Sequence, residues 1–315
     1  MALISFEQFM DHALHDPQHG YYARRIQAVG RGGDFTTAPM LSDAPARAIA
    51  RWAAAALRET GCRNLIEMGP GEGTLAAAVL RHLPWQVRWR TQLHLMETSG
   101  PLRERQRKLL GKRALWHDSP QAALDACGGK AVIWSNELVD AFPVRLFQRT
   151  LSGWQEVGVE TGGGAVRESL LPPAPLPQSS AFLDSHAPGQ RVEVHESYHR
   201  ALKEWMPHWK SGRLLTIDYG AESDVIYQRR PHGTLRAYLL HQRLDGPAIY
   251  QNSGRQDITA DVNFTDLQEW SRPWVSAQSL ITFGDFLHAH SGALPAGFAE
   301  KNGAGDAFLV LDQKR

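Results

Sequence analysis

Three glycines spaced two residues apart, Gly69, Gly71 and Gly73, follow an acid in the run Glu67-Met-Gly-Pro-Gly-Glu-Gly73. Glycine tolerates backbone angles and close ligand approach that a Cβ would block. No Gly-Lys-Ser/Thr follows, so the loop is not a P-loop. A dinucleotide fingerprint needs a glycine three positions after Gly71, where Thr74 stands. The spacing suits a ligand with a cationic amino-acid end and no pyrophosphate, Glu67 attracting its ammonium group directly or through water. Glu97 lies where an acid accepts hydrogen bonds from both hydroxyls of a ribose. Asp118, further on, suits either an adenine amino group or the start of a helix, as cap or surface acid. Together these residues fit S-adenosylmethionine as cofactor; a tight strand–helix turn with a solvated acid is the plainer alternative.

A second acid cluster is Asn136-Glu137-Leu-Val-Asp140. It lacks the prolines and aromatic of the Asn-Pro-Pro-Tyr motif, so amine methylation of that kind is a poor match. Its acids either face a substrate or cap the next helix, where negative charge suits the dipole.

Alternating strand and helix patterns must position these groups. Asn64–Met68, Leu93–Glu97, a weaker Arg113–Trp116, Ala131–Trp134 and Arg213–Ile217 read as strands. Helices are expected over Ser42–Glu59, Thr74–His82 and Pro101–Leu110, with Gly61 stopping the first. An earlier helix carries Phe6, Phe9, Met10, Ala13 and Leu14 on one face and ends at Asp16-Pro17. Alternation of this kind predicts an α/β fold with a doubly wound, mostly parallel, seven-stranded Rossmann-like sheet. A hairpin turns at Ser152-Gly153, Pro172–Pro177 makes a stiff connection, and Gly305–Asp312 is a final strand. The expected divisions are an N-terminal cap (1–56), a first core part (57–145), an insertion (146–210), a core strand (211–220), a lid (221–272) and a last core part (273–315).

The chain has 315 residues, 43% hydrophobic and 21% charged, which is globular composition. Its 34 basic and 33 acidic residues leave a net charge of +1, against the basic excess expected of a nucleic-acid binder. Two cysteines, Cys62 and Cys127, give neither a disulfide framework nor zinc spacing. His195-Glu-Ser-Tyr-His199 reads as a solvated helix face and not as a metal site, and no metal is expected. The ten tryptophans are irregularly spaced and read as packing. The first ten residues lack a signal-peptide pattern and no stretch is long enough to span a membrane, so a soluble, cytoplasmic protein is expected.

The longer polar motifs are more specific than the glycine loop. Pro17-Gln-His-Gly20-Tyr-Tyr22, Gly33-Asp34-Phe-Thr36-Thr37-Ala-Pro39, the Glu67–Leu75 loop, Asn136–Pro143, Ile217-Asp-Tyr-Gly220, Gly233–Tyr238 and Gly254–Phe264 run through nearly the whole chain. In these the sequence resembles the MidA-like S-adenosylmethionine-dependent methyltransferases, whose mitochondrial members assist assembly of respiratory complex I. The resemblance implies a protein arginine as methyl acceptor, so a protein substrate is the expected partner. It also implies that Gly33, Asp34, Thr36 and Thr37 fold over the cofactor. Asn136, Glu137 and Asp140 then become the catalytic candidates, the carboxylates orienting a guanidinium by charge-assisted hydrogen bonds. Two departures bear on activity and substrate choice: the family usually carries Glu at Met40 and His at Asp261. They keep open a second reading, a cofactor-binding assembly factor that acts by protein contact with little turnover.

Overall fold

The computed structural model describes residues 2–24, 42–162, 165–292, 298 and 303–315. It opens with strand β1 (Ala2–Ser5) and helix α1 (Phe6–His15), which a Ser5/Gln8 capping box starts. After the short α2 (Tyr21–Arg24) comes α3 (Ala44–Thr60), with Pro45 in its first turn and Gly61 closing it at φ +68°. There follow β2 (Asn64–Met68), α4 (Thr74–His82), α5 (Trp85–Arg90), β3 (Gln92–Met96), α6 (Gly100–Leu110), β4 (Ala114–His117), α7 (Pro120–Ala126) and β5 (Val132–Asn136). The expected helices and strands recur within a few residues of their bounds; β1, α2, α5 and α7 are additions.

The hairpin of β6 (Arg145–Thr150) and β7 (Gly153–Gly162) turns at the expected place, and β8 (Ala165–Leu170) and β9 (Arg191–Val194) follow. Helix α8 (Glu196–Trp205) returns the chain to β10 (Arg213–Ala221). Beyond α9 (Ser223–Ile226) lie the short strands β11 (Arg236–Leu239), β12 (Gln242–Leu244), β13 (Asp257–Thr259) and β14 (Val262–Asn263). Helix α10 (Phe264–Ser271), β15 (Ala277–Thr282), α11 (Phe283–Ser291) and β16 (Phe308–Lys314) end the chain.

The large sheet has the order β15-β16-β10-β5-β2-β3-β4, with β14 added to β10. Strands β4, β3, β2, β5 and β10 are parallel, and β16 is antiparallel to both neighbours. This is the expected doubly wound sheet. Strand side chains alternate between its faces. Leu65, Leu93, Leu95, Trp134, Leu215 and Ile217 pack with α3, α4 and α11 on one face. Ile66, Met68, Ile133 and Leu214 pack with α7, α8 and α10 on the other. A second, antiparallel sheet (β1-β7-β6-β9, with β8 on β7) and a small third one (β12-β11-β13) share a core with α1.

The expectation of a solvated face at His195 and His199 is wrong. Both are buried, at 2% and 7% exposure, because α8 packs under α10, where the His199 ring stacks on Trp270 at 4.6 Å. Burial pushes both imidazoles down to about 4. The tryptophan reading fails at Trp85 and Trp89, which are 65% and 84% exposed on α5.

Candidate active site

The strand order reverses between β2 and β5. Chain leaving β2 runs outward to β3 and β4, while β5 and β10 lie on the other side. A crevice forms at the carboxyl ends of strands at such a switch point. Both sequence-predicted clusters arrive there, since Met68 is in register with Ser135, one residue before Asn136.

On the β2 side, Gly69, Gly71 and Gly73 all take positive φ, at 65°, 54° and 79°. The backbone requires glycine at each, because the left-handed region disfavours a Cβ. What surrounds them differs. A Cβ on Gly69 would come within 2.6 Å of Leu138 Cδ1, and one on Gly73 within 3.1 Å of Gln106. A Cβ on Gly71 would meet nothing within 4 Å, so the loop's apex is a bare backbone cradle.

Glu67 is 2% exposed on β2, and its Oε2 has no hydrogen-bond partner among the described residues. Burial pushes its carboxyl up to about 8, and the nearby Glu97 charge pushes the same way. Glu97, just past β3, is 7% exposed. Its Oε1 accepts from Ser99 N–H at 2.8 Å and its Oε2 from Gln106 Nε2 at 3.2 Å. Burial raises its pKa, against the pull of those donors.

Gln106 is a site residue that the sequence reading did not single out. It is fully buried, and its Nε2 also donates to Gly71 O at 2.6 Å, while its Oε1 accepts from Trp116 Nε1 at 2.9 Å. It thereby ties the glycine loop to the strand-end acid. The available signal was a polar residue on the buried stripe Leu102-Gln106-Leu110 of α6.

Asp118 is 87% exposed and ion-paired with Arg103, whose Nε donates to the Glu97 carbonyl at 2.6 Å. The helix cap at that point is Ser119, not Asp118. Gly33, Asp34, Thr36, Thr37 and Met40 lie outside the described residues.

On the β5 side, Asn136 Nδ2 donates to Glu137 Oε1 at 3.0 Å, leaving Asn136 Oδ1 buried without a partner among the described residues. Glu137 sits at φ +51°, a sparsely populated conformation for a side-chain-bearing residue, and its N–H donates to Ile217 O at 2.9 Å. Asp218 holds the following turn. Its Oδ2 accepts from the N–H groups of Leu138, Val139 and Asp140 at 3.2, 2.8 and 3.4 Å, and its Oδ1 from Tyr219 N–H at 2.9 Å. Asp140 is 5% exposed; burial raises its pKa, while the Arg236 charge lowers it and Asp261 raises it again.

The far wall comes from distant segments. Tyr22 OH donates to Asp257 Oδ1 at 2.8 Å, and the Tyr22 carbonyl accepts from Ser99 Oγ at 3.0 Å, next to Glu97. The N-terminal motif thus bridges the two halves. Gly254 fits against His19 O, which a Cβ would approach to 2.2 Å. Arg236 lies over the Tyr219 ring at 5.4 Å and pairs with Asp261, which also pairs with Arg230. Buried Glu193 holds the Gly233-Thr234 turn as Asp218 holds 138–140, accepting from Thr234 N–H at 2.9 Å and Thr234 Oγ1 at 3.0 Å.

These features fit S-adenosylmethionine: an open backbone cradle, a buried carboxyl with one oxygen unpartnered among the described residues, and a second carboxylate at the end of the next strand. Similar proteins carry the same cofactor chemistry. A crystal structure titled as a "likely methyl transferase" from Burkholderia thailandensis bound to S-adenosyl-homocysteine superposes with a TM-score of 0.83 and 27% identity, over 99% of this chain and 88% of that one. Among curated relatives, the protein arginine methyltransferase NDUFAF7, mitochondrial, of Danio rerio is 27% identical over 315 residues, covering 90% of this chain and 72% of its own. The Homo sapiens protein of that name is 27% identical over 330 residues, with 90% and 69% covered. The mitochondrial relatives overturn the expected cytoplasmic location. That expectation rested on the first ten residues, nine of which fold as β1 and the start of α1. A family model described as "Putative S-adenosyl-L-methionine-dependent methyltransferase" matches residues 48–281, and the chain belongs to that family of S-adenosylmethionine-dependent methyltransferases.

Proposed function

We propose that the methyl acceptor is a protein arginine, held on the β5 side of the crevice. The observation that carries this reading is the pairing of carboxylates with an unpartnered acceptor beside the cradle. Glu137 and Asp140 flank a turn whose Leu138 touches the Gly69 position, and Asn136 Oδ1 faces no other described donor. A guanidinium offers five N–H donors and a fixed charge, which this set of oxygens complements. Relatives named as protein arginine methyltransferases support the same acceptor.

When bound, S-adenosylmethionine supplies an electrophilic methyl on a sulfonium. Glu67 takes its ammonium end, Glu97 the ribose hydroxyls, and Gly71 lets the backbone approach. Asp118 would add a contact from the adenine end. Glu137 and Asp140 would hold and orient the guanidinium in the crevice, which lowers the orientational barrier to transfer. Methyl transfer to a guanidinium nitrogen would free a proton, which Glu137 is placed to accept. The strained backbone at Glu137 fixes that carboxylate's aim.

The test is methyl transfer from labelled cofactor to cell protein, followed by digestion and mass spectrometry of the labelled residues. Methylated arginine is expected, and label confined to other residues refutes the acceptor. Glu137→Ala should cut transfer by roughly a hundredfold or more while adenosylhomocysteine affinity stays within about twofold. Retained binding with no transfer by the unaltered protein would instead favour the assembly-factor reading.

A further inference from the structure

At the opposite end of the large sheet, the amino ends of four adjacent parallel strands carry bases. Lys130 lies shortly before β5, Arg63 precedes β2, Arg90 closely precedes β3, and Lys112 and Arg113 precede β4. The strand order places them side by side: Gln92 N–H donates to Arg63 O at 2.9 Å, and Asn64 Nδ2 donates to Lys130 O at 3.1 Å. Arg113 is spent on helix-end carbonyls at Leu109 and Leu110. Arg63, Arg88 and Arg90 are exposed and form no ion pair among the described residues. No acid occurs from residue 74 to residue 96. Nearby Glu59 and Asp125 are engaged by Arg213 with Lys314 and by His208.

Helix α5 stands on this rim. Leu83 and Val87 anchor it to the core, which turns Trp85 and Trp89, one helical turn apart, into solvent. Leu109 and Leu115, also at this end, are 42% and 48% exposed. Helix dipoles account for bases at helix ends but not for two bare indoles beside unpaired arginines.

We propose that this rim docks on an anionic lipid surface, with Trp85 and Trp89 entering the headgroup layer and Arg63, Arg88 and Arg90 meeting its phosphates. Charge complementarity fixes the sign of the partner. The protruding rings fix its kind, because indoles favour the membrane–water boundary. Exposed leucines add to burial in lipid and give no stacking surface to a nucleic acid. The crevice, at the other end of the strands, stays open to solvent in this orientation.

Sedimentation of the full chain with vesicles tests the proposal. Phosphatidylcholine vesicles containing phosphatidylglycerol should bind it roughly tenfold more tightly than phosphatidylcholine alone, with a loss at high salt. Trp85→Ser/Trp89→Ser and Arg88→Glu/Arg90→Glu should each remove most of that binding. Adenosylhomocysteine should raise the melting temperature of both variants as it does that of the unaltered chain, which shows them folded. Equal binding by the tryptophan variant, no preference for the anionic vesicles, or tighter binding to single-stranded RNA than to lipid overturns it. So does a dimer in solution that the tryptophan variant makes monomeric, since the rim would then contact its own copy.

Discussion

On the β2–β3 side of the crevice the binding groups are close in sequence: Gln106 reaches Gly71 across 35 residues and Glu97 across nine. On the β5–β10 side the turn at 138–140 is held by Asp218, 79 residues from Val139, and Tyr22 meets Asp257 across 235. The first half uses bare backbone and strand-end carboxylates whose geometry follows from two consecutive strand–loop–helix units. The second needs a buried acid from another strand to hold each turn, Asp218 for one and Glu193 for the other. A cofactor common to many chemistries can be held by a local device. An acceptor pocket assembled from distant segments can change its specificity without disturbing that device.

The comparison breaks most sharply at Asp218. Asn in its place presents an amide donor to N–H groups that now share one carboxylate, and buried unmet donors cost about 1–3 kcal/mol each. Asp218→Asn should lower stability by about 3 kcal/mol, seen in the denaturant midpoint, and abolish methyl transfer. Adenosylhomocysteine should still raise the melting temperature of the folded fraction. If the cofactor half fails equally, the two halves are one unit and the contrast falls.

Gly71→Val probes the other half. A Cβ there has room in the protein but a left-handed backbone, so the expected destabilisation is only about 1–2 kcal/mol. Cofactor affinity should fall by roughly a hundredfold (about 2.7 kcal/mol) by calorimetric titration, because the added methyls occupy the cradle. Unchanged affinity would mean that the open space at Gly71 is not where the ligand backbone lies.

The same division explains what was legible in the sequence. Strand–loop–helix spacing exposes Gly69, Gly71 and Gly73 directly, and alternation of hydrophobic runs gives the parallel sheet. Gln106 carried a weaker trace, one polar residue on an apolar stripe. Asp218 stood out only within the Ile217–Gly220 motif and Glu193 not at all, since nothing local says which buried acid will bind a turn 79 or 41 residues away. The histidines at the start of α8 were misjudged for the same reason: the segment is polar enough to look solvated, and only tertiary packing, such as that of His199 on Trp270, buries them. Asp261 shows how tertiary context recasts a departure from family pattern. Its charge is balanced by ion pairs with both Arg236 and Arg230.

Glu97→Ala sharpens the cofactor side. Removing the carboxylate would deprive the ribose of its proposed acceptor and leave Ser99 N–H and one Gln106 bond unmet. A loss of about 2 kcal/mol, roughly thirtyfold in affinity, is expected with transfer at saturating cofactor largely kept. A fall in saturated rate instead would place Glu97 in the chemistry.

The smallest expected effect is a pH dependence peculiar to the cofactor half. Glu67 has its carboxyl raised by burial to about 8 in the folded chain, against an ordinary 4.5. Between those values the unfolded chain has lost the proton that the folded chain keeps, so this group's contribution to stability is full below about 4.5 and is lost as pH rises through about 8. A cationic ligand end beside Glu67 favours the ionised carboxylate and reverses that preference. Binding of adenosylhomocysteine, whose ammonium group supplies the charge, should therefore release a proton at neutral pH, visible as a dependence of the calorimetric enthalpy on the buffer's own ionisation heat. Affinity should rise with pH by up to about tenfold per unit and flatten near 8. In Glu67→Gln the affinity falls, the proton release disappears and the slope with pH goes with it. If the slope survives that substitution, another group holds the proton, and the unpartnered Oε2 of Glu67 has no part in recognising the ligand's charged end.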